Sequence, residues 1–141
     1  MKLKIGNKEL NIKFGYKPTL KERVISNVVK MGNVNGEEGL DMEKVEDLLL
    51  YLPELLLVGL QVYHQEYRYN YDTGEGKEEQ LNKTFALIEE YMENEDADFM
   101  YLFNALQEAL VEDSFLASLF RKEKSAKEAE EVVQTAENSK N

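Results

Sequence analysis

At 141 residues with 43% hydrophobic positions, the chain is long enough for one hydrophobic core and too apolar to be wholly disordered. It has no cysteine, which excludes disulfides, zinc–thiolate sites and cysteine nucleophiles. The net charge of −11 is unevenly spread: residues 1–30 carry eight Lys/Arg against Glu9 and Glu22, net +6, leaving −17 for the remainder. A basic segment of that kind can meet nucleic acid, but overall acidity opposes phosphate binding at physiological salt. Pairing with the acidic remainder, within the molecule or across a subunit contact, is the favoured expectation.

The opening MKLKIGNKEL lacks the apolar stretch of a signal peptide, so the expectation is a soluble cytosolic protein. Residues 2–14 read as a β-hairpin. Leu3 and Ile5 alternate with Lys2 and Lys4, Leu10, Ile12 and Phe14 alternate with Asn11 and Lys13, and Gly6-Asn7-Lys8 supplies the turn. A lone hairpin is marginal in water, so this one must rest on helices or join another subunit's edge.

Everything after the hairpin reads as helical. Pro18 suits the first turn of a helix running to Met31, with Leu20, Val24 and Val28 at four-residue spacing and Ile25 and Val29 beside them. A loop follows at Gly32–Gly36. Asp41 is the candidate N-cap of a second helix with Met42, Val45, Leu48 and Leu52 on one face.

The block Leu48 to Leu60, LLLYLPELLLVGL, is too short to span a bilayer and carries Pro53 and Glu54 at its middle. Proline lacks the backbone donor, so the pattern predicts a restart at Pro53 and a third helix reaching about Glu66. Its apolar residues cover almost the whole circumference, which makes it a core element or a surface for another chain. Leu56 and Val58 are candidate partner-binding residues on the second view.

Tyr67, Tyr69 and Tyr71 alternate along a connection that contains Arg68 and ends at the Gly74/Gly76 turn. A fourth helix carries Leu81, Phe85, Ile88 and Met92. Asp96 is the candidate cap of a fifth with Phe99, Leu102, Phe103, Leu106 and Leu110. Asp113 or Ser114 opens a short sixth with Phe115, Leu116, Leu119 and Phe120. The predicted architecture is mainly α, a bundle of about five or six helices preceded by the hairpin. It occupies residues 1–122, with 123–141 a charged, core-free tail.

A search for reactive groups returns little, and no enzyme or cofactor is expected. The one histidine, His64, has no His-Glu-x-x-His set around it. Gly74-Glu75-Gly76-Lys77 lacks the phosphate-loop spacing, and glycines stand where an EF-hand needs oxygen ligands. The carboxylate runs Glu89/Glu90/Glu93 and Glu95/Asp96/Asp98 read as solvated faces and caps rather than metal or acid–base sites. Aromatic residues are in excess instead. Phe99, Tyr101, Phe103, Phe115 and Phe120 exceed one helical stripe; of these Tyr101, Phe115 and Phe120, with the strip Tyr67, Tyr69 and Tyr71 around Arg68, are singled out, tyrosine being enriched at binding hot spots. They join Leu56 and Val58 as candidate partner-binding positions, with Lys13, Lys17 and Lys21 as candidates for self-association.

In these segments the chain resembles a tail assembly chaperone of long, non-contractile-tailed bacteriophages infecting Gram-positive hosts. The likeness rests on the hairpin MKLKIGNKELNIKFGYK leading into a basic helix, on EDLLLYLPELLLVGLQVYHQ, and on GEGKEEQLNKTFALIEEY, DADFMYLFNALQEAL and SFLASLFRKE. The resemblance implies a helical, non-enzymatic protein, working in the host cytoplasm and not kept in the mature virion. It would coat the tape measure protein, a long apolar helical chain, until the tail tube protein polymerises around it. In such families a translational frameshift near the end of the gene often yields a longer form whose extension recruits the tube subunit. A homo-oligomer is expected, with neither nucleic acid nor membrane as partner. The alternative is a small DNA-binding regulatory protein using the basic helix.

Overall fold

The computed structural model describes residues 1–32, 35–36 and 39–119. β1 (Lys2–Ile5) and β2 (Lys8–Asn11) pair antiparallel, with Leu3 opposite Leu10 and Ile5 opposite Lys8. The turn is therefore Gly6-Asn7 alone, one residue shorter than expected, because Lys8 already pairs. Gly6 takes φ +60°, a left-handed conformation that glycine adopts without a steric cost. Ile5, Leu10, Ile12 and Phe14 are buried, while Lys2, Lys4 and Lys8 face solvent.

The predicted helix from Pro18 to Met31 is two helices, α1 (Tyr16–Lys21) and α2 (Val24–Met31). Arg23 breaks it at φ 51°, ψ 42°, a left-handed conformation costing an L-residue about 1–2 kcal/mol. The break re-aims the second half so that Val24 and Val28 are buried. Leu20, expected within that stripe, and Ile25 and Val29, expected beside it, stay exposed. The Gly32–Gly36 segment holds part of a minimal ladder where only a loop was expected, β3 (Asn35–Gly36) pairing with β4 (Gly39–Leu40).

α3 (Met42–Leu60) is the central element. Asp41 caps it as expected, its carboxylate accepting from the Glu43 and Lys44 N–H groups at 3.1 and 3.3 Å. The helix continues through Pro53 rather than restarting. Interior proline costs a helix about 3 kcal/mol, yet Leu52, Leu55, Leu56, Leu57 and Leu60 are all fully buried around it. At about 1.5–3 kcal/mol for each buried side chain, burying both halves as one rod outweighs the lost hydrogen bond.

The helix stops at Leu60, not Glu66, and side chains meet carbonyls at its end and just beyond it. Gln61 Nε2 donates to Leu57 O at 2.9 Å, and Arg68 donates to Gln61 O and Val62 O at 2.9 and 3.0 Å. A guanidinium at a helix C-terminus also opposes the negative end of the dipole. A short 3-10 turn, Gln65–Tyr67, then leads to α4 (Lys77–Met92).

α5 (Phe99–Glu112) is capped by Asp98, not Asp96. The Asp98 carboxylate accepts from Met100 and Tyr101 N–H at 3.0 and 3.1 Å. Tyr91 fixes that cap by donating its hydroxyl to Asp98 O at 2.9 Å. Of the expected sixth helix, residues 117–119 are helical; Phe120 and the 123–141 tail lie outside the described residues.

The hairpin rests on helices. Lys13 N–H donates to Gly59 O of α3 at 2.9 Å, and Asn11 N–H donates to His64 Nε2 at 3.0 Å. With Nε2 accepting, the His64 ring proton sits on Nδ1, 3.1 Å from Glu66. Hairpin, α2, α3, α4 and α5 share one contiguous apolar core. Among the described residues, no helix is long and apolar enough to cross a membrane.

Candidate interaction surfaces

The leucine block supplies the core. Leu56 and Val58 are sealed inside, so they support the fold and offer nothing to a partner. The reason is topological: hairpin, α2, α4 and α5 all pack around α3, covering a circumference too apolar for water. Tyr67 is buried as well.

Tyr69 and Tyr71 are half-buried, in edge-to-face contact at 5.1 Å. Tyr71 donates its hydroxyl to Gln61 Oε1 at 2.8 Å, while Gln61 Nε2 also donates to Tyr67 O at 2.8 Å. The tyrosine strip thus folds back on the end of α3 around one buried glutamine instead of presenting a binding face. Gln61→Leu should lower stability by about 1–3 kcal/mol, since it leaves buried polar groups without partners. Chemical denaturation checks this, and an unchanged midpoint would remove the glutamine from that role.

Phe115 is half-buried against the Tyr16 ring at 5.2 Å. Phe120 lies outside the described residues. Lys17 and Lys21 both reach Asp72, each at 3.1 Å, so the charge they offered for self-association is engaged within the molecule. Lys13 is half-buried and tied through its backbone to Gly59. Tyr101 alone among the described aromatic candidates stands out into solvent, 71% exposed.

Where α1 gives way to α2, the structure gathers a polar cluster with no precedent in the sequence pattern. Lys77, the first residue of α4, bridges Glu22 and, 3.3 Å away, Glu54 of α3; Tyr51 and Tyr69 complete the pocket. Burial pushes the Tyr51 and Tyr69 phenols well above their ordinary 10.0. Burial alone would lower Lys77, but the Glu22 and Glu54 carboxylates prevail and hold it above 10.5. All three groups have raised values in the folded state. Their stabilisation is therefore complete below the ordinary values and is lost as pH climbs past about 10 toward the folded ones.

Lys77→Met is expected to cost about 1–2 kcal/mol, between the worth of an exposed pair and a buried one. It should also flatten the alkaline loss of stability. Melting curves taken across that pH range test both, and an alkaline limb as steep as the parent's would contradict the assignment.

Among the described residues two open grooves stand out, both missed in the sequence. One runs between α3 and α4, about 490 Å³, lined by Leu49, Pro53, Phe85, Ile88 and Met92 with Glu89 and Glu93 on its rim. Of the Leu81, Phe85, Ile88 and Met92 stripe, Ile88 is buried, Leu81 and Met92 are half-buried and Phe85 is exposed, because α4 turns Thr84, Leu87 and Ile88 inward. A threonine in the buried row hid that rotation. The other groove, about 340 Å³, lies between the hairpin and α5, where Met1, Lys2, Tyr101, Ala105, Ala109 and Glu112 meet. Among the described residues, no three His, Asp or Glu side chains gather as metal ligands. No protein-family model, curated protein or solved structure matches the chain.

Proposed function

We propose that this protein is a tail assembly chaperone of a long, non-contractile-tailed bacteriophage. It holds the tape measure protein soluble in the host cytoplasm until tail tube protein polymerises around it. The observation that carries this reading is the α5 groove. Tyr101 stands exposed beside a floor made by Ala105 and Ala109, one helical turn apart. Small residues admit the backbone of a docking helix, and an exposed tyrosine supplies the anchor typical of binding hot spots. Glu108 and Glu112 edge the same groove and keep it wetted when empty. The order of the five sequence segments supports the same reading, as does an acidic net charge that keeps an unloaded chaperone soluble.

Co-expression with a long helical tail protein tests it: the partner should move from the insoluble to the soluble fraction. Tyr101→Asp should weaken capture by about 30-fold or more, the scale of a hot-spot loss, with an unchanged melting temperature. Failure of the unmodified protein to solubilise any such partner would end the proposal.

A further inference from the structure

We propose that the groove between α3 and α4 receives the α2 face of a second copy of this chain, joining subunits head to tail. Both halves of the contact are visible. The groove floor is apolar and open, with Phe85 51% exposed within it. Its surroundings are acidic: Glu89 and Glu93 stand on the rim, and exposed Glu46 lies one turn before Leu49 on the same side of α3.

The complementary surface lies on α2. Ile25 and Val29 stand one turn apart and outward, Val29 75% exposed, with Leu20 exposed just upstream. Arg23 and Lys30, both exposed, flank them. An apolar pair between cations thus faces an apolar trough between carboxylates, the arrangement that steers and registers an interface.

The dimensions agree. α2 is about 12 Å long, and Phe85 to Met92 spans about 10 Å, at 1.5 Å per residue. At about 490 Å³ the groove has room for the two aliphatic side chains, and neither Ile25 nor Val29 belongs to its own core. The break at Arg23 has a use here, because it turns the Ile25/Val29 row outward.

Geometry also decides the kind of assembly. Along α3 each residue advances about 100°, so Leu49 and Pro53 lie about 150° round the helix from Tyr51, Glu54 and Val58. Those three line the pocket shared with Glu22, on the side where α2 packs. Groove and α2 therefore occupy opposite sides of α3. Two subunits cannot satisfy both contacts with each other, so each contact leaves a free half at either end. A heterologous contact of this kind grows into a ring or an open helical array rather than a two-fold dimer. The contact uses neither Tyr101 nor the α5 groove, so it stands apart from the capture of a client.

Sedimentation velocity on the full chain tests this. The unmodified protein should form concentration-dependent oligomers at low salt that dissociate at high salt. Val29→Glu and Phe85→Glu, at exposed positions, should each sediment as monomers with unchanged melting temperatures. Mixed, the two variants should form 1:1 heterodimers and nothing larger, because each supplies the half the other lacks. A monomeric unmodified protein at low salt, or oligomers that survive both substitutions, would overturn the proposal. So would a mixture that stays monomeric. If Phe85→Glu left assembly intact but abolished client capture, the groove would belong to the client and not to a second copy.

Discussion

Leu56→Ala is expected to lower the unfolding free energy by about 2–5 kcal/mol, and Leu56→Lys to abolish cooperative melting. Leu56 sits fully buried in the second half of α3, with Leu52, Leu55, Leu57 and Leu60 equally buried around it. Truncation forfeits the transfer energy of the lost methyl groups and leaves a cavity that neighbours on a rigid helix cannot fill. A lysine there would place an unpaired charge in the most enclosed part of the molecule. Small domains have only about 5–15 kcal/mol in total, so the alanine variant would lie near the edge of stability. Urea titration measures the first effect and far-ultraviolet dichroism the second. A Leu56→Lys protein that melted normally but failed to capture a client would return this residue to an interface.

Gly59→Ala is the second large effect, and its sign is the test. In an ordinary helix this change would stabilise by about 1 kcal/mol. Here the hairpin crosses the helix on the glycine: a Cβ would come within 2.8 Å of Ile12 Cγ2 and 3.4 Å of Phe14 Cζ. Ile12 is β-branched and fully buried, so its methyl cannot swing aside cheaply. The strand would have to lift, stretching the Lys13 to Gly59 hydrogen bond. Overpacking of this kind costs about 1–3 kcal/mol, so the net result should be destabilising. Combining it with Ile12→Ala should recover part of the loss, because the obstructing methyl is gone; a double-mutant cycle reads that coupling. A Gly59→Ala protein more stable than its parent would show that the hairpin does not press on α3.

The two predictions bear on how far the chain could be understood before folding. The alternation in residues 2–14 named the hairpin and its apolar face correctly, since a period of two is a local property. Asp41 was legible as a cap for the same reason. Pro53 was not: its local preference says break, while the leucines on both sides need one continuous rod. Asp96 and Asp98 are equivalent as caps in sequence, and only the Tyr91 hydroxyl on Asp98 separates them. The Lys77 bridge joins residues 55 positions apart, beyond the reach of any spacing rule.

For the interaction surfaces the balance is less favourable. Tyr101 was picked out because it falls off the stripe of Phe99 and Phe103, and it is exposed. Leu56 and Val58 were picked out for their apolar excess and Tyr67 for the tyrosine strip, and all three are buried. Ile25, Val29 and Phe85 were read only as apolar positions on their helices, and they face solvent. By itself, the sequence determined a mainly helical chain with an N-terminal hairpin, a leucine-rich block and an acidic remainder, because periodicity and charge are written residue by residue. Which apolar side chains are enclosed was decided only by the tertiary packing. Burial has no direction of its own, and the cover over each face comes from elements far away in the chain.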